Sequence, residues 1–311
     1  MLPAFLATVL FSLSVVFANR TTRMLGGTTA NFYRLCVSTA LLAIWAHAFG
    51  NGFGGGAFWV FFVSGVIGFG IGDLALYQAL PRLGPRLSAV MVHCLAAPFA
   101  ALTEWLWIGT PLTLAQIVAG TIILIGVAVA LAPQEHLHIA PKILIAGIVF
   151  GIVAAIGQGG GAVVSRKAYA VAKAAGHDVV GLTFGLTAAY QRILGGLIFA
   201  ALPSLWIIRR RRTKARPSEP GSEICAGVPK EKFPVWLWVL LNALAGPTLG
   251  VGCYQWALAT TGSGVVLPIV ATTPIVVIPL AYWLDGDRPG LRSIAGGLIA
   301  VAGAIGLTLA R

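Results

Sequence analysis

Four ionisable side chains lie deep inside long apolar stretches of the sequence: Arg34, Asp73, Glu104 and Arg192. Charges are costly in hydrocarbon, so such groups usually face the interior of a helix bundle and often mark a transport path. His93 is a fifth polar candidate in an apolar stretch. An arginine can bind an anionic group, and a carboxylate can carry a proton. These residue types therefore predict chemistry in which a small solute is recognised and moved.

Arg34 and Asp73 are the clearest pair in this set. Arg34 lies early in one apolar stretch and Asp73 lies near the end of the next, so antiparallel helices would bring them to a similar depth. Asn31 and Ser38 share a helix face with Arg34, and Tyr77 shares one with Asp73. Two interpretations stay open: a substrate site or proton-responsive pair, and a structural ion pair that fixes the packing of two helices.

Three further polar residues are candidates, each with a structural alternative. Glu104 can serve as a proton carrier, but it lies within one turn of a span end, where a carboxylate also reaches water. His93 is either a site residue or a hydrogen-bonded interior histidine. Gln158 lies within Gly157–Gly161, which predicts either a broken helix that admits a substrate or close packing of helices.

The composition indicates which elements must hold these residues. Of the 311 residues, 58% are hydrophobic and only 10% are charged, and the mean hydropathy is +0.90. A soluble domain carries about 25% charged residues, so we predict an integral membrane protein rather than a soluble enzyme or a disordered chain. The apolar runs are long and continuous, which favours transmembrane helices over a transmembrane β-barrel.

The apolar runs predict an all-α integral membrane protein with ten transmembrane helices. Their approximate bounds are 3–19, 28–48, 57–79, 84–107, 112–132, 143–165, 181–203, 235–258, 263–284 and 291–310. The first run has no basic segment before it, so it is predicted to be a retained span rather than a signal peptide. The one long loop, 204–234, is basic and polar and is predicted to be disordered.

The two halves of the chain resemble each other. One constant offset in residue number maps Gly68, Gly72, Ala79, Leu80 and Gly84 onto Gly246, Gly250, Ala257, Leu258 and Gly262. An offset shorter by a single position maps Gly109, Gly120 and Gly126 onto Gly286, Gly297 and Gly303, and Tyr33-Arg34 parallels Gln191-Arg192. We therefore predict two five-helix repeats, residues 1–133 and 141–311. An odd number of spans inverts the second repeat in the membrane, which is typical of secondary transporters with a midplane site.

The repeat leaves Arg192 without a symmetric acidic partner, because Val251 occupies the position that corresponds to Asp73. Arg192 is therefore predicted to attract an anionic substrate group such as a carboxylate. Its structural alternatives are hydrogen bonds to helix-end carbonyls and an ion pair with Glu104.

The formal net charge of +12 indicates membrane topology rather than nucleic-acid binding, because the basic residues cluster beside apolar runs. Eight of the 21 basic residues lie between Arg209 and Lys232. The loops after spans 1, 3, 5, 7 and 9 carry most of the basic residues, which predicts that these loops are cytoplasmic and that both termini lie outside. Binding of loop 204–234 to anionic lipid headgroups is a further option.

The chain resembles the EamA-type transporters of the drug/metabolite transporter superfamily along essentially its whole length. Each half has a Pro-bearing span, a tight polar turn and a Gly-rich final span, over residues 98–132 and 274–309, and each has an arginine in its second span. The usual Gly-Glu turn is Gly109-Thr110 in the first half and Gly286-Asp287 in the second. The resemblance implies a permease or exporter, with both termini usually cytoplasmic, which is opposite to the orientation that the charges predict.

The sequence thus favours a secondary transporter that moves a small metabolite or amino-acid-like solute by alternating access, with proton coupling as an option. The substrate-binding candidates are Arg34, Asp73, Tyr77, His93, Gln158 and Arg192. The proton-coupling candidates are Asp73 and Glu104, and the candidate hinges or static kinks are Pro98, Pro268, Pro274 and Pro279. An integral membrane enzyme acting on a lipid-linked substrate and an accessory structural membrane protein are the alternatives.

No catalytic, metal-binding or nucleotide-binding motif stands out, so no catalytic residue, metal or cofactor is predicted. The expected partners are a small-molecule substrate and the lipid bilayer of the cell (inner or plasma) membrane, and no nucleic acid. A second copy of the chain is a further expected partner, through spans 5 and 10.

Overall fold

The computed structural model describes residues 2–108, 113–131, 140–214, 234–260, 263–285 and 290–309, which contain helices and no strand. The α-helices within these ranges are α1 (Leu2–Leu25), α2 (Gly27–Ala48), α3 (Phe58–Gly65), α4 (Leu74–Ala89), α5 (Leu95–Ile108), α6 (Leu114–Leu131), α7 (Pro141–Ala174), α8 (Leu182–Lys214), α9 (Val235–Ala243), α10 (Leu249–Thr260), α11 (Ser263–Ala271), α12 (Thr273–Asp285) and α13 (Leu291–Leu309). Three π-helical segments join some of them: π1 (Val66–Asp73), π2 (Val90–Cys94) and π3 (Leu244–Thr248). The all-α fold class predicted from the apolar runs is confirmed.

Among the residues that the structure describes, five helical stretches are long and apolar enough to cross a membrane. They are Leu2–Leu25, Phe58–Trp107, Pro141–Ala174, Leu182–Ile207 and Val235–Thr260. Shorter apolar helices cover Leu114–Ala130, Ile269–Leu284 and Leu291–Gly306. A bilayer core is about 30 Å thick, so a helix shorter than this needs local thinning of the bilayer to span it.

The predicted bounds are too short for three helices. α1 continues to Leu25 and α7 to Ala174, whereas the predicted spans end at 19 and 165. α8 continues to Lys214, so residues 204–214 are helical, which corrects the first part of the predicted disordered loop. Arginine and lysine are good helix formers, and their charge is favourable at a helix C-terminus. The rest of that loop, 215–233, lies outside the described residues.

α7 runs without a break through Gly157–Gly161, so these glycines serve close packing rather than a broken helix. A Cβ built at Gly157 would lie 2.5 Å from the Cα of Gly72, and one at Gly161 would lie 3.2 Å from the Cα of Gly68. The missing side chains therefore let α7 lie directly against π1.

The helices are irregular elsewhere. Gly84 has φ 76° inside α4, where it bends the long stretch between the third and fourth predicted spans. The ninth predicted span is divided at Thr272 into α11 and α12, and Pro274 lies in the first turn of α12, where proline is tolerated. Pro98 lies within α5, Pro279 within α12 and Pro268 within α11.

The first helix of each predicted repeat packs against helices of the other repeat. α1 packs against α9, α10, α11 and α12, whereas α7 packs against α3, π1, α4 and α5. α2 and α8 pack against each other. The centre of the molecule is therefore built from both halves of the chain.

α6 and α13 form a closely packed pair of their own. A Cβ built at Gly126 would overlap the backbone nitrogen of Ala300, and one built at Gly296 would overlap that of Ala130. Small residues thus bring the two backbones into contact, as is common between helices in membranes.

Candidate functional site

A cavity of about 70 Å³ lies where the three π-helical segments meet the central helices. All three segments line it: π1 through Gly68, Phe69 and Asp73, π2 through Val92 and His93, and π3 through Gly246 and Pro247. π-helical turns are rare and occur frequently at functional sites. Five of the six predicted substrate-binding residues line this cavity: Arg34, Asp73, His93, Gln158 and Arg192.

Arg34 and Asp73 form the ion pair that their positions predict. The Nη2 atom of Arg34 lies 2.5 Å from Oδ2 of Asp73, and both side chains are about 5% exposed. Arg34 also donates a hydrogen bond to Asn31 Oδ1 at 2.9 Å, and Gln158 Nε2 donates one to the second oxygen of Asp73 at 3.0 Å. Helices α2 and α7 and segment π1 are therefore connected through one carboxylate.

Tyr77 lies behind this pair rather than in the cavity wall. Its ring packs against the Arg34 guanidinium, whose central carbon is 4.6 Å from the ring centroid. Its hydroxyl accepts a hydrogen bond from Asn242 Nδ2 at 2.5 Å. Tyr77 thus holds Arg34 in position and connects it to α9.

Arg192 is buried without an acidic partner among the described residues. Its side chain lines the cavity at 4% exposure, and its Nε and Nη1 atoms are buried and make no hydrogen bond. The guanidinium lies over the ring of Phe69, with 5.5 Å between its central carbon and the ring centroid. These two nitrogens therefore make neither of the interactions predicted as structural alternatives, a hydrogen bond to a helix-end carbonyl or an ion pair with Glu104. Buried polar atoms normally have a partner. Arg34 Nε also lacks one, but Arg192 has two such nitrogens and no ion pair within the described ranges, which distinguishes it from Arg34.

His93 belongs to an aromatic wall of the cavity. Its ring stacks on Phe11 with 5.8 Å between centroids and 18° between planes. Phe11 in turn contacts Tyr254 edge-on at 6.0 Å, and all three residues line the cavity. The wall offers apolar ring surface together with the polar atoms of an imidazole and a phenol.

Glu104 lies away from this cavity. Its carboxylate forms an ion pair with Arg166, and these two residues line a separate pocket with Trp107 and Lys167. The side chain of Arg166 is 39% exposed, whereas that of Glu104 is 15% exposed. The alternative ion pair between Arg192 and Glu104 is therefore not formed, because Glu104 pairs with Arg166 instead.

Two hydrogen-bonded clusters were not found from the sequence. In the Ser14 cluster, Ser14 Oγ donates to Asn242 Oδ1 at 2.8 Å, and Asn242 contacts Tyr77 as described. In the Ser165 cluster, the hydroxyls of Ser64 and Ser165 lie 3.1 Å apart, and Gln255 Nε2 donates to Ser165 at 3.1 Å.

A signal for these clusters exists in the sequence. Asn242 is the repeat counterpart of Ser64, and Gln255 is that of Tyr77, by the same constant offset that relates the glycines. A survey of uncharged polar residues at matched repeat positions would have selected all four. The charges alone do not point to them.

Comparison with known proteins agrees with this architecture. The model of the EamA-like transporter family matches residues 1–132 and 145–309. A solved structure, titled only as the crystal structure of a protein, covers 99% of this chain and 96% of its own, with a TM-score of 0.62 and 18% identity. At that identity the likeness concerns the fold alone. No curated protein matches the chain.

The apolar helices and the central cavity define a multi-pass membrane protein of the transporter class. The chain belongs to the EamA-like transporter family, within the drug/metabolite transporter superfamily. Members of this family are transporters rather than enzymes.

Proposed function

We propose that this protein is a secondary transporter that binds a small metabolite or amino-acid-like solute in the central cavity and moves it by alternating access. The observation that carries the proposal is the cavity itself, because buried charged groups from both halves of the chain line it. Intramembrane ionisable groups that face a cavity are expensive to maintain and usually belong to a transport path.

Contacts exchanged between the halves support the proposed inverted repeats. A Cβ built at Gly246 would lie 3.4 Å from Nη1 of Arg34, and one built at Gly68 would lie 3.0 Å from Nη2 of Arg192. Each arginine therefore lies against the equivalent glycine of the other half. Such an exchange is expected when two repeats are related by a two-fold axis in the membrane plane.

The polar clusters follow the same exchange. The Ser14 cluster joins two residues of the first half to Asn242 of the second, and the Ser165 cluster joins two residues of the second half to Ser64 of the first. We propose that these clusters connect the repeats on the two sides of the substrate and separate in turn. A rocking motion of one repeat against the other would then open the cavity alternately.

Proton coupling is assigned to Asp73 first. Asp73 is the one acidic residue among the described residues that line the cavity, and it contacts both Arg34 and Gln158. Protonation of this carboxylate would weaken its ion pair and release Arg34. Glu104, outside the cavity, is the second candidate. Asp73→Asn should abolish a pH-driven flux, and a loss in Glu104→Gln instead would assign the coupling to Glu104.

We further propose a location and an orientation. The protein resides in the cell membrane, with loop 204–234 cytoplasmic and both termini outside, as the distribution of basic residues favours. A reporter fused after Arg311 tests this, because activity of a reporter that works only in the cytoplasm would reverse the orientation. A homodimer through α6 and α13 stays a proposal, supported by the exposed large apolar side chains on both helices.

Alternating access is tested with a cysteine in the cavity. Val270→Cys is introduced after the four native cysteines are replaced by serine, and a membrane-impermeant thiol reagent is applied to oriented vesicles from one side at a time. We expect labelling from both sides, in proportions that a bound solute changes. Labelling from one side only would contradict the proposal. Leu298→Cys, on the exposed face of α13, is the control, and it should stay unlabelled from either side because the reagent does not enter the bilayer.

A further inference from the structure

We infer that the solute carries one carboxylate, and that this carboxylate binds Arg192 beside Val251, in the place that Asp73 takes beside Arg34. The inference rests on the proposed transport function and names the substrate class of the same cavity. It depends on a comparison of two arginines within one chain.

The two arginines occupy equivalent positions. Both line the cavity, both are about 5% exposed or less, and each lies against the equivalent glycine, Gly246 or Gly68. Each also has an aromatic ring beside its guanidinium, Tyr77 for Arg34 and Phe69 for Arg192. Both guanidinium groups therefore have the same kind of surroundings, a glycine and an aromatic ring.

An acidic partner for the guanidinium is present at only one of the two positions. Asp73 and Val251 are related by the constant repeat offset, and both line the cavity. Asp73 accepts a hydrogen bond from Arg34, whereas the isopropyl group of Val251 has no hydrogen-bond acceptor. Nε and Nη1 of Arg192 are buried without a hydrogen bond, whereas Arg34 has one such nitrogen, Nε, and forms an ion pair through Nη2. An uncompensated buried charge is strongly destabilising, so a ligand that supplies the missing acceptor gains that free energy on binding.

The charge balance selects the class of ligand. The described cavity lining contains two guanidinium groups and one carboxylate, which leaves one positive charge in excess. A single carboxylate neutralises this excess, and its two oxygens match the parallel N–H groups of a guanidinium. A phosphate with two negative charges would exceed it. A neutral solute would leave this excess positive charge in place.

The size of the cavity limits the rest of the molecule. A volume of about 70 Å³ accommodates a few water-sized groups, since one water needs roughly 10–15 Å³ by the same measure. The wall formed by Phe11, His93 and Tyr254 presents aromatic surface to such a group. We therefore infer a short organic acid with a small apolar or weakly polar body.

The test compares a carboxylate with its neutral counterpart. Thermal unfolding of the purified full-length protein is measured with sodium propionate, with propionamide, and with inorganic phosphate at matched ionic strength. Propionate should raise Tm in a concentration-dependent way, because a ligand that binds only the folded state stabilises it, and propionamide and phosphate should not. Equal shifts with propionate and propionamide, a shift with phosphate alone, or no shift with propionate would overturn the inference.

A matched pair of variants identifies the position. Val251→Asp supplies Arg192 with an internal carboxylate, and Val251→Asn has nearly the same size without the charge. The propionate affinity of Val251→Asp should fall at least about ten-fold below that of Val251→Asn, because the ligand then competes with a built-in anion. Its ligand-free Tm should exceed that of Val251→Asn, which also shows that the variant folds. Equal affinities in the two variants would overturn the inference.

The transport proposal is tested separately, by solute counterflow in proteoliposomes. If neutral or cationic solutes are transported and propionate does not compete, the carboxylate inference fails while the transporter stands. If the cavity cysteine is also labelled from one side of the membrane only, the transport proposal itself fails. A propionate flux that Val251→Asp lowers more than Val251→Asn supports both.

Discussion

Arg34 and Arg192 are chemically the same side chain in matching surroundings, yet within the described part of the chain Arg34 forms an ion pair and Arg192 does not. Arg34 has an acid, an amide and an aromatic ring as partners, and its carboxylate partner is shared with Gln158. Arg192 keeps the aromatic ring and lacks the acid. The difference teaches that the first site is suited to hold the fold together, and the second is suited to receive a ligand.

The largest expected effect is at Arg192, the arginine without an ion pair. Arg192→Gln should lower solute flux about 100-fold, equivalent to roughly 2.7 kcal/mol, because the buried cation that receives the ligand is removed. Its thermal stability should be equal to that of the wild type or higher, since an uncompensated buried charge is lost. Counterflow and thermal unfolding measure the two effects. Arg23→Gln, at an exposed arginine of α1, is the matched control.

Arg34, which forms an ion pair with Asp73, should respond in the opposite way. Arg34→Gln or Asp73→Asn leaves a buried charge unpaired and should destabilise the protein by about 3–5 kcal/mol. The double variant should recover a large part of that loss, because both charges are then absent. Thermal unfolding of the two single variants and the double variant measures the coupling. Strictly additive losses would mean that the ion pair is not what stabilises this site.

The two glycines that contact the arginines provide a finer comparison. At Gly246 an added Cβ would overlap Ser14 Oγ, within the Ser14 cluster, so Gly246→Ala should cost about 1–3 kcal/mol of stability. At Gly68 the nearest atom, at 3.0 Å, is the end of the Arg192 side chain, which can move. Gly68→Ala should therefore lower affinity for the solute more than stability. Equal losses of stability in both variants would remove this distinction.

The smallest effect is expected at Glu104. Its partner Arg166 is 39% exposed, so Glu104→Gln should change stability by no more than about 1 kcal/mol. Because Glu104 lies outside the cavity, solute affinity should be unchanged. A propionate titration at several pH values, compared with that of Asp73→Asn, separates the two carboxylates. A loss of binding in Glu104→Gln would extend the functional site to the second pocket.

Much of the fold follows from the sequence because apolar runs and glycine matches are local signals. The all-α class, the Arg34–Asp73 pair and the missing acid at Val251 could be stated before any coordinates. Helix ends could not, because Arg209 and its neighbours favour a helix extension as readily as a loop. The packing role of Gly157–Gly161 depends on π1, which lies far away in the chain, so the sequence left it open.

The π-helical segments were also beyond the sequence, and the polar clusters were missed although the repeat positions carry a signal for them. A π-turn requires one backbone hydrogen bond to skip a residue, and no residue type specifies that change. Asn242 and Gln255 carry no charge, so within apolar spans they resemble ordinary packing residues until their partners are known. Their repeat positions would have distinguished them.

The most direct measurement is a structure of the protein determined in sodium propionate, alongside one of Val251→Asp under the same conditions. We predict difference density for the carboxylate between Arg192 and Val251, with the apolar end toward Phe11 and His93, and no such density in the variant. Propionate bound at Arg34, or bound only outside the cavity, would contradict the claim that Arg192 is the open half of a duplicated site.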